Sequence, residues 1–175
     1  MYKKTLIIIL LIAGMSACKQ QNSEPSVTGK AKTLKDTALL DFQSIAESIR
    51  YDVIIKNPDP DDEWTETCLK GLDREKLVDE VYKAIYAGKV KAYDYYTDDP
   101  MSVKQVKEIE KQAESDGAEV AKVQFLEDWF FDPVTFNLYK KVHFIMLAYE
   151  LLDENGKVRS YKAAFYVPFG LGEEG

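Results

Sequence analysis

Cysteine and histidine are nearly absent from this chain of 175 residues, which contains two cysteines and one histidine. A disulfide framework needs several cysteines, and structural zinc sites draw their four ligands mostly from these two residue types. Basic residues are outnumbered as well: 23 Lys and Arg stand against 30 Asp and Glu, for a net charge of −7. Binding a nucleic-acid backbone needs a basic face, so the composition predicts no nucleic-acid partner.

The motifs of common catalytic sites are also missing from the sequence. It contains no GxSxG, no phosphate-binding glycine loop, no HExxH and no CxxC. The single histidine, His143, lies in an apolar run, which favours a satisfied core or interface residue. Glu127 and Asp128 are neighbours on a predicted strand and would point to opposite faces, so they do not suit a glycosidase pair. The sequence predicts a protein that is not an enzyme and has no metal or cofactor.

The first eighteen residues have the pattern of a bacterial lipoprotein signal. Two lysines precede an apolar stretch at 6–13, and the segment MSAC at 15–18 resembles a lipoprotein cleavage site. A helix needs about 20 apolar residues to cross a bilayer, so this stretch is too short to remain as an anchor. The sequence therefore predicts a signal peptide at 1–17 and lipidation of Cys18, which attaches the chain to a membrane through its N-terminal lipid.

The remainder divides into a polar linker and one folded domain. Residues 18–36 contain little to bury and predict a flexible tether. Residues 37–175 suffice for a single domain with its own core. Cys68 is left without an internal disulfide partner, and its position beside Leu69 predicts a small buried apolar residue.

Two principal helices are predicted in the first part of the domain. Helix 72–87 has Asp73 as its N-cap and Gly88 just past its end, and a second helix begins at Ser102 with Gln105 in capping-box position and ends at Gly117. Apolar spacing also predicts a short helix beginning near 37 and reaching 49, before a strand at 48–56. A polar turn at 57–63 follows that strand, and a strand beginning at 89 leads into an aromatic loop at 93–96.

The last third predicts a three-stranded antiparallel meander with strands near 120–131, 139–152 and 158–169. A turn at 132–135 would place Glu127 opposite Lys140 as a cross-strand ion pair and Asp128 opposite Tyr139 as a hydrogen bond. Asn155-Gly156 marks the second hairpin, which places Glu150 opposite Tyr161. The same register puts one group of side chains on a single face: Phe144, Met146, Ala148, Tyr161, Ala163, Phe165 and Val167.

The middle strand of this meander is apolar on both faces. The helices would cover one face, and the N-terminal segment or a partner subunit would cover the other. The predicted fold class is α+β, with a mainly antiparallel sheet, a C-terminal three-stranded meander and two principal helices.

Four segments carry a family resemblance: REKLV at 74–78, GKVKAYD at 88–94, KVQFLEDWFFD at 122–132 and KKV at 140–142. In this order they resemble the GldN/PorN family of gliding-motility and type IX secretion proteins in the Bacteroidota. The resemblance implies a non-enzymatic assembly subunit in the periplasm, placed against the outer membrane with a partner. The lipidation pattern and the shortened N-terminal part differ from the typical family member, which is soluble.

We therefore expect a scaffold subunit of an envelope complex, anchored by lipid to the outer membrane on its periplasmic face. Its partner would be another envelope protein or a second copy of the chain. An alternative is a lipid-anchored module that binds glycan or peptide in an aromatic cleft of Tyr93, Tyr95, Tyr96 and Trp64. The candidate interface residues are Trp129, Phe130, Phe131, Tyr139, Tyr149, Tyr93 and Tyr95.

Overall fold

The structure, a computed structural model, describes residues 42–170. These residues fall within one unit, Leu34–Gly175, and the predicted signal peptide, Cys18 and tether lie outside the described residues. The strands are β1 (Gln43–Ile54), β2 (Ala92–Tyr93), β3 (Pro100–Met101), β4 (Val120–Asp132), β5 (Asn137–Leu152) and β6 (Val158–Pro168). The helices are α1 (Glu63–Leu69), α2 (Arg74–Tyr86) and α3 (Val103–Ser115).

All six strands belong to one antiparallel sheet with the order β1-β4-β5-β6-β2-β3. Three neighbours in this order, β4, β5 and β6, follow one another in the chain as a meander. The predicted α+β class, mainly antiparallel sheet and C-terminal meander are confirmed. The two principal helices are α2 and α3, with 13 residues each.

Both principal helices begin where their capping residues predict. The Asp73 carboxylate accepts a hydrogen bond from the amide of Lys76, and Ser102 forms a reciprocal capping box with Gln105. Gly117 follows α3 at φ 65°, a conformation that glycine adopts without a steric penalty. These signals act within a single helical turn, so they can be read directly from the sequence.

One face of the sheet is covered by α2 and α3. The buried cluster there includes Tyr82, Ile85, Val106, Ala113, Val123, Ile145, Leu147, Phe165 and Val167. The hydroxyls of Tyr82 and Tyr149 are hydrogen-bonded within this cluster. Burial and the bond to Tyr149 raise the pKa of Tyr82, so this pair stays neutral.

The opposite face of the central sheet is covered partly by side chains of the same domain. Phe144, Met146 and Ala148 are buried there. The Arg50 guanidinium lies 5.3 Å from the centre of the Phe144 ring, and Tyr166 packs against the same ring at 5.0 Å. These contacts shield the middle of β5 on the face that the helices do not reach.

The helix predicted over 37–49 is wrong for the described residues, because 43–54 form β1. Its register against β4 shifts between Ser44 and Ala46 and again between Ala46 and Ile49, and Ser48 has φ 51°. Each extra residue in a bulged strand changes which face the following side chains occupy. Apolar residues spaced by three can therefore share a strand face and imitate a helical pattern.

Two further local predictions are corrected. Cys68 is exposed rather than buried, because α1 has no buried residues. The strand predicted to begin at 89 is limited to β2, which pairs with β3 and at Tyr93 with Tyr166. The predicted aromatic loop does follow it, as a turn closed by backbone hydrogen bonds between Asp94 and residues 98 and 99.

The meander register differs from prediction at a turn and at a bulge. The β4–β5 turn is one residue later than predicted, so Asp132 lies opposite Asn137 and Trp129, rather than Glu127, lies opposite Lys140. In the β5–β6 hairpin Glu150 does lie opposite Tyr161, as predicted. A register shift between Leu147 and Ala148 then places Leu147 opposite Phe165. Phe165 and Val167 therefore lie in the helix-side cluster, away from Phe144, Met146 and Ala148.

Candidate functional site

The strongest candidate for a functional surface is the part of the sheet that extends beyond the end of β6. β6 ends at Pro168, opposite Phe144, and the amide of Phe169 donates to the carbonyl of His143 at 2.7 Å. Past this point β1, β4 and β5 continue as a three-stranded layer of residues 43–50, 126–132 and 139–143. We term this layer the ribbon, and residues 133–138 at its end the tip.

No apolar side chain of the ribbon or tip is buried among the described residues. The buried positions of the ribbon are the carboxylates Glu127, 3% exposed, and Asp132, 9% exposed. By contrast, Val123, Ile145 and Leu147 in the central sheet are at most 1% exposed. The ribbon therefore lacks a hydrophobic core of its own.

One face of the ribbon carries Trp129 and Phe131. The indole Nε1 of Trp129 donates to Glu127 at 2.9 Å, and the ammonium of Lys140 lies 4.6 Å from the centre of the indole. Lys140 also forms an ion pair with Glu127 at 3.3 Å, so the predicted pair forms diagonally across the strands. A hydrogen bond to the Tyr51 hydroxyl, together with Glu127, raises the pKa of Lys140 despite partial burial. This network holds the indole in a fixed position.

The other face carries Phe130 and Tyr139, which lie opposite each other in the β4–β5 register. The ring of Phe42 stacks on Tyr139 with 4.8 Å between centroids. Phe130 and Tyr139 are half-buried. The first described residue of the chain is thus held against this end of the sheet.

Asp128 connects the three strands of the ribbon. It was predicted to bond to Tyr139, but its carboxylate instead accepts from the amide of Ser48 at 2.7 Å and pairs with His143 Nε2 at 2.6 Å. Burial of Asp128 opposes its ionisation, yet these two bonds hold its pKa below the ordinary value. His143 is accordingly a satisfied residue at the surface of the ribbon, 34% exposed at its side chain.

The tip projects apolar side chains into solvent. Val134 is 91% exposed, Phe136 83% and Leu138 49%. The turn is closed by Asp132, whose carboxylate accepts from the amides of Val134 and Thr135 and from the Thr135 hydroxyl. Phe136 has φ 57°, a left-handed conformation that is uncommon for a bulky side chain.

The other three candidate interface residues lie elsewhere. Tyr149 is only 8% exposed and packs in the core against Tyr82, so it is not part of the candidate surface. Tyr93 stacks on Tyr166, and the Tyr95 hydroxyl donates to Gln124 at 2.8 Å. Of the seven predicted residues, the ribbon brings together Trp129, Phe130, Phe131 and Tyr139.

A cavity of about 550 Å³ lies between α3, the loop after β2, the end of β5 and the middle of β6. Of the four residues predicted to form an aromatic cleft, Tyr96 lines this cavity and Tyr93, Tyr95 and Trp64 do not. Apolar contact is provided by Met101, Ile109 and Leu151, and Lys162 provides a positive charge.

A buried ion pair was missed by the sequence analysis. Glu150 is 1% exposed and is hydrogen-bonded to Lys56, which also contacts Glu119 at 2.9 Å. The second carboxylate oxygen of Glu150 has no hydrogen-bond partner. Burial opposes the charge of Lys56, but these carboxylates raise its pKa above the ordinary value. The signal in the sequence was a single carboxylate within an apolar strand.

Comparison with known protein families, curated proteins and solved structures found no match to this chain. Within residues 42–170 the structure contains no group of three or more potential metal-binding His, Cys, Asp or Glu side chains. No helix in this described part is long and apolar enough to cross a membrane.

Proposed function

We propose that this protein is a lipid-anchored assembly subunit of an envelope complex, held at the periplasmic face of the outer membrane by an acylated Cys18. The single observation that carries the proposal is the ribbon, whose apolar side chains all remain at least partly exposed. The role is similar to that of GldN/PorN proteins, and the partner is another envelope protein or a second copy of the chain.

The ribbon has the properties of a surface completed by a partner. A few strands without a buried face are marginally stable in water, and exposed sheet edges offer unpaired backbone groups to another chain. Aromatic residues are enriched where protein interfaces obtain most of their binding energy. Trp129 and Phe131 on one face, and Phe130 and Tyr139 on the other, meet this requirement because they are large and half-exposed.

The position of the family-like segment also supports an assembly role. Residues 122–132 carry the strongest part of the GldN/PorN resemblance, and the half of this segment with the sequence EDWFFD forms the central strand of the ribbon. A segment needed only for the core would be expected at buried positions. Here its aromatic side chains are directed to the two ribbon faces, where a partner can reach them.

Crosslinking in native membranes, followed by affinity capture, tests the assembly proposal. The wild-type chain should recover a stable envelope partner or a homo-oligomer, and Trp129→Ala combined with Phe131→Ala should reduce that recovery about tenfold. Trp64→Ala is the matched control, because Trp64 is 75% exposed on α1, away from the ribbon. Recovery of monomer alone from wild-type membranes in mild detergent would contradict the proposal.

The cavity beside α3 supports the alternative, a lipid-anchored module that binds glycan or peptide. Tyr96 could stack on a sugar or peptide side chain, and Gln105 and Lys162 could donate hydrogen bonds. If this alternative is correct, Tyr96→Ala should abolish retention of the protein on a glycan or peptide array and leave partner capture unchanged. An array without any Tyr96-dependent ligand would count against it.

A further inference from the structure

We propose that the tip, residues 133–138, contacts lipid and enters the interfacial region of the membrane to which the chain is anchored. The inference rests on the lipid anchor of the proposed function, and it adds a second membrane contact made by the folded domain itself. It assigns the tip to lipid and places the ribbon faces at the level of the headgroups, where an envelope partner can still contact them.

The tip has the composition of a membrane-contacting loop. The sequence PVTFNL contains no charged residue, although 30% of the chain is charged. The carboxylate that precedes it, Asp132, is turned back into hydrogen bonds with Val134 and Thr135. Val134 and Phe136 are more than four-fifths exposed, so they make little contact with the domain that carries them. Lipid acyl chains would remove this apolar surface from water.

The order of side chains along the ribbon matches the order of layers at a membrane surface. Phe136 and Val134 lie at the end, and Trp129 and Lys140 lie opposite each other about four residues farther back, or roughly 13 Å at the strand rise. Interfacial segments insert their apolar side by about 5–10 Å. Trp and Tyr prefer the headgroup level, and lysine extends its ammonium toward water. Insertion of the tip would thus place Trp129 and Lys140 in their preferred layers.

The polypeptide that carries Cys18 joins the described fold beside the tip. Phe42 stacks on Tyr139, and Gln43 lies opposite Phe131 at the start of β1. The hairpin at the other end of β5 is polar: the loop 153–157 has the sequence DENGK. The end of the sheet where the described part of the chain begins is therefore apolar at its tip, and the far end is charged.

The backbone of Phe136 is a second, independent observation. Its φ of 57° favours glycine or asparagine, and a bulky residue there stores strain. Its ring contacts Phe131 with 5.3 Å between centroids and is otherwise open to solvent. A left-handed residue is common at this place in a hairpin loop, so the unusual feature is that the loop presents a phenylalanine there instead of glycine or asparagine.

A spin-label measurement on the full lipidated chain tests the inference. In a Cys68→Ser background, Phe136→Cys is labelled with a nitroxide, and Asn155→Cys in the 153–157 loop is the matched control. Each protein is reconstituted alone into phosphatidylcholine vesicles. The label at 136 should collide about tenfold less often with a water-soluble nickel chelate than the label at 155, while remaining accessible to oxygen, which concentrates in the bilayer.

Equal nickel accessibility at the two positions would overturn the inference. The label at position 136 could instead be protected from both nickel and oxygen, with this protection disappearing when the protein is diluted with lipid. That result would assign the tip to a contact with a second copy of the chain, and it would also overturn the inference. A chain that does not remain with the vesicles at all would instead refute the lipid anchor. Failure of the tip contact and failure of the proposed function are therefore distinguished.

Discussion

At the scale of single residues, the buried carboxylate of Glu150 depends on Lys56. Lys56 is one-third exposed at its side chain and lies between Glu150 and Glu119, and Arg74 approaches Glu119 at 3.4 Å. A buried ion pair contributes little net stability, but removal of one partner leaves an uncompensated charge. The Lys56 ammonium donates a hydrogen bond to Glu119 and keeps the pKa of that carboxyl low despite partial burial. The carboxylates of Glu119 and Glu150 therefore both favour the charged form of Lys56.

A double-mutant cycle at this pair follows directly. Lys56→Met should lower the free energy of unfolding by about 2 kcal/mol, a value reduced for the partial exposure of the ammonium. Glu150→Leu combined with Lys56→Met should be more stable than Lys56→Met alone, because no buried charge remains. Urea titrations measure both changes. Lys83→Met is the control, since the ion pairs of Lys83 are solvent-exposed and their loss should not change stability measurably. The coupling between Lys56 and Glu150 would be contradicted if the double variant lost the simple sum of what Lys56→Met and Glu150→Leu lose separately.

At the scale of elements, the ribbon is connected mainly by polar contacts. Asp128 bridges β1 and β5 through Ser48 and His143, whereas no apolar ribbon residue is buried. The folded-state pKa of Asp128 lies below the ordinary 3.8. Stability from this carboxylate is therefore fully present above the unfolded pKa, and it is lost as the pH falls through the lower folded pKa.

Acid should consequently weaken the ribbon through Asp128. The free energy of unfolding of the wild type should fall as the pH decreases below about 4, and Asp128→Asn should show a shallower fall together with lower stability at pH 7. Urea titrations between pH 7 and pH 2 provide the measurement. Parallel pH profiles for the two proteins would show that Asp128 does not stabilise the fold in this way.

Elements with local signals were predicted well from the sequence. Asp73 and Ser102 cap their helices, and Asn155-Gly156 marks a hairpin whose Glu150–Tyr161 pairing is correct. The strand predicted over 48–56 is present as the second half of β1, but the first half was misassigned to a helix, because its two register shifts are defined by pairing with residues of β4 about 80 positions away in the sequence. Cys68 was misplaced because the burial of a residue depends on what packs over its helix.

At the scale of the whole molecule, the proposed lipid contact of the tip lies at the end of the sheet where the described part of the chain begins. Cys18 stands 24 residues before Phe42, a length of chain that spans at most roughly 80 Å, so a lipid anchor there would by itself leave the orientation of the domain free. Insertion of the tip would fix the sheet with β6 and the charged 153–157 loop directed away from the bilayer. The ribbon faces would then be presented close to the membrane surface.

Cys18→Ala tests the anchor separately from the tip. Metabolic labelling with a fatty-acid analogue should modify the wild-type chain and the Cys68→Ala control, and it should not modify Cys18→Ala. Loss of the acyl chains should also shift the protein out of the membrane fraction, because insertion of a short tip is weak and reversible compared with two acyl chains. Unchanged acylation and membrane association of Cys18→Ala would refute the assignment.

The sequence by itself determined the helices α2 and α3, the meander and the antiparallel fold class, because caps, turns and alternation act over a few neighbouring residues. Only the tertiary structure decided the bulges of β1, the burial of Glu150 beside Lys56 and the pairing of the last residue of β6, Pro168, with Phe144. These features arise from strand pairing between distant segments, where one inserted residue exchanges the two faces of a strand. The same long-range pairing leaves 126–132 at the centre of a ribbon without a core, which no local pattern in the sequence encodes.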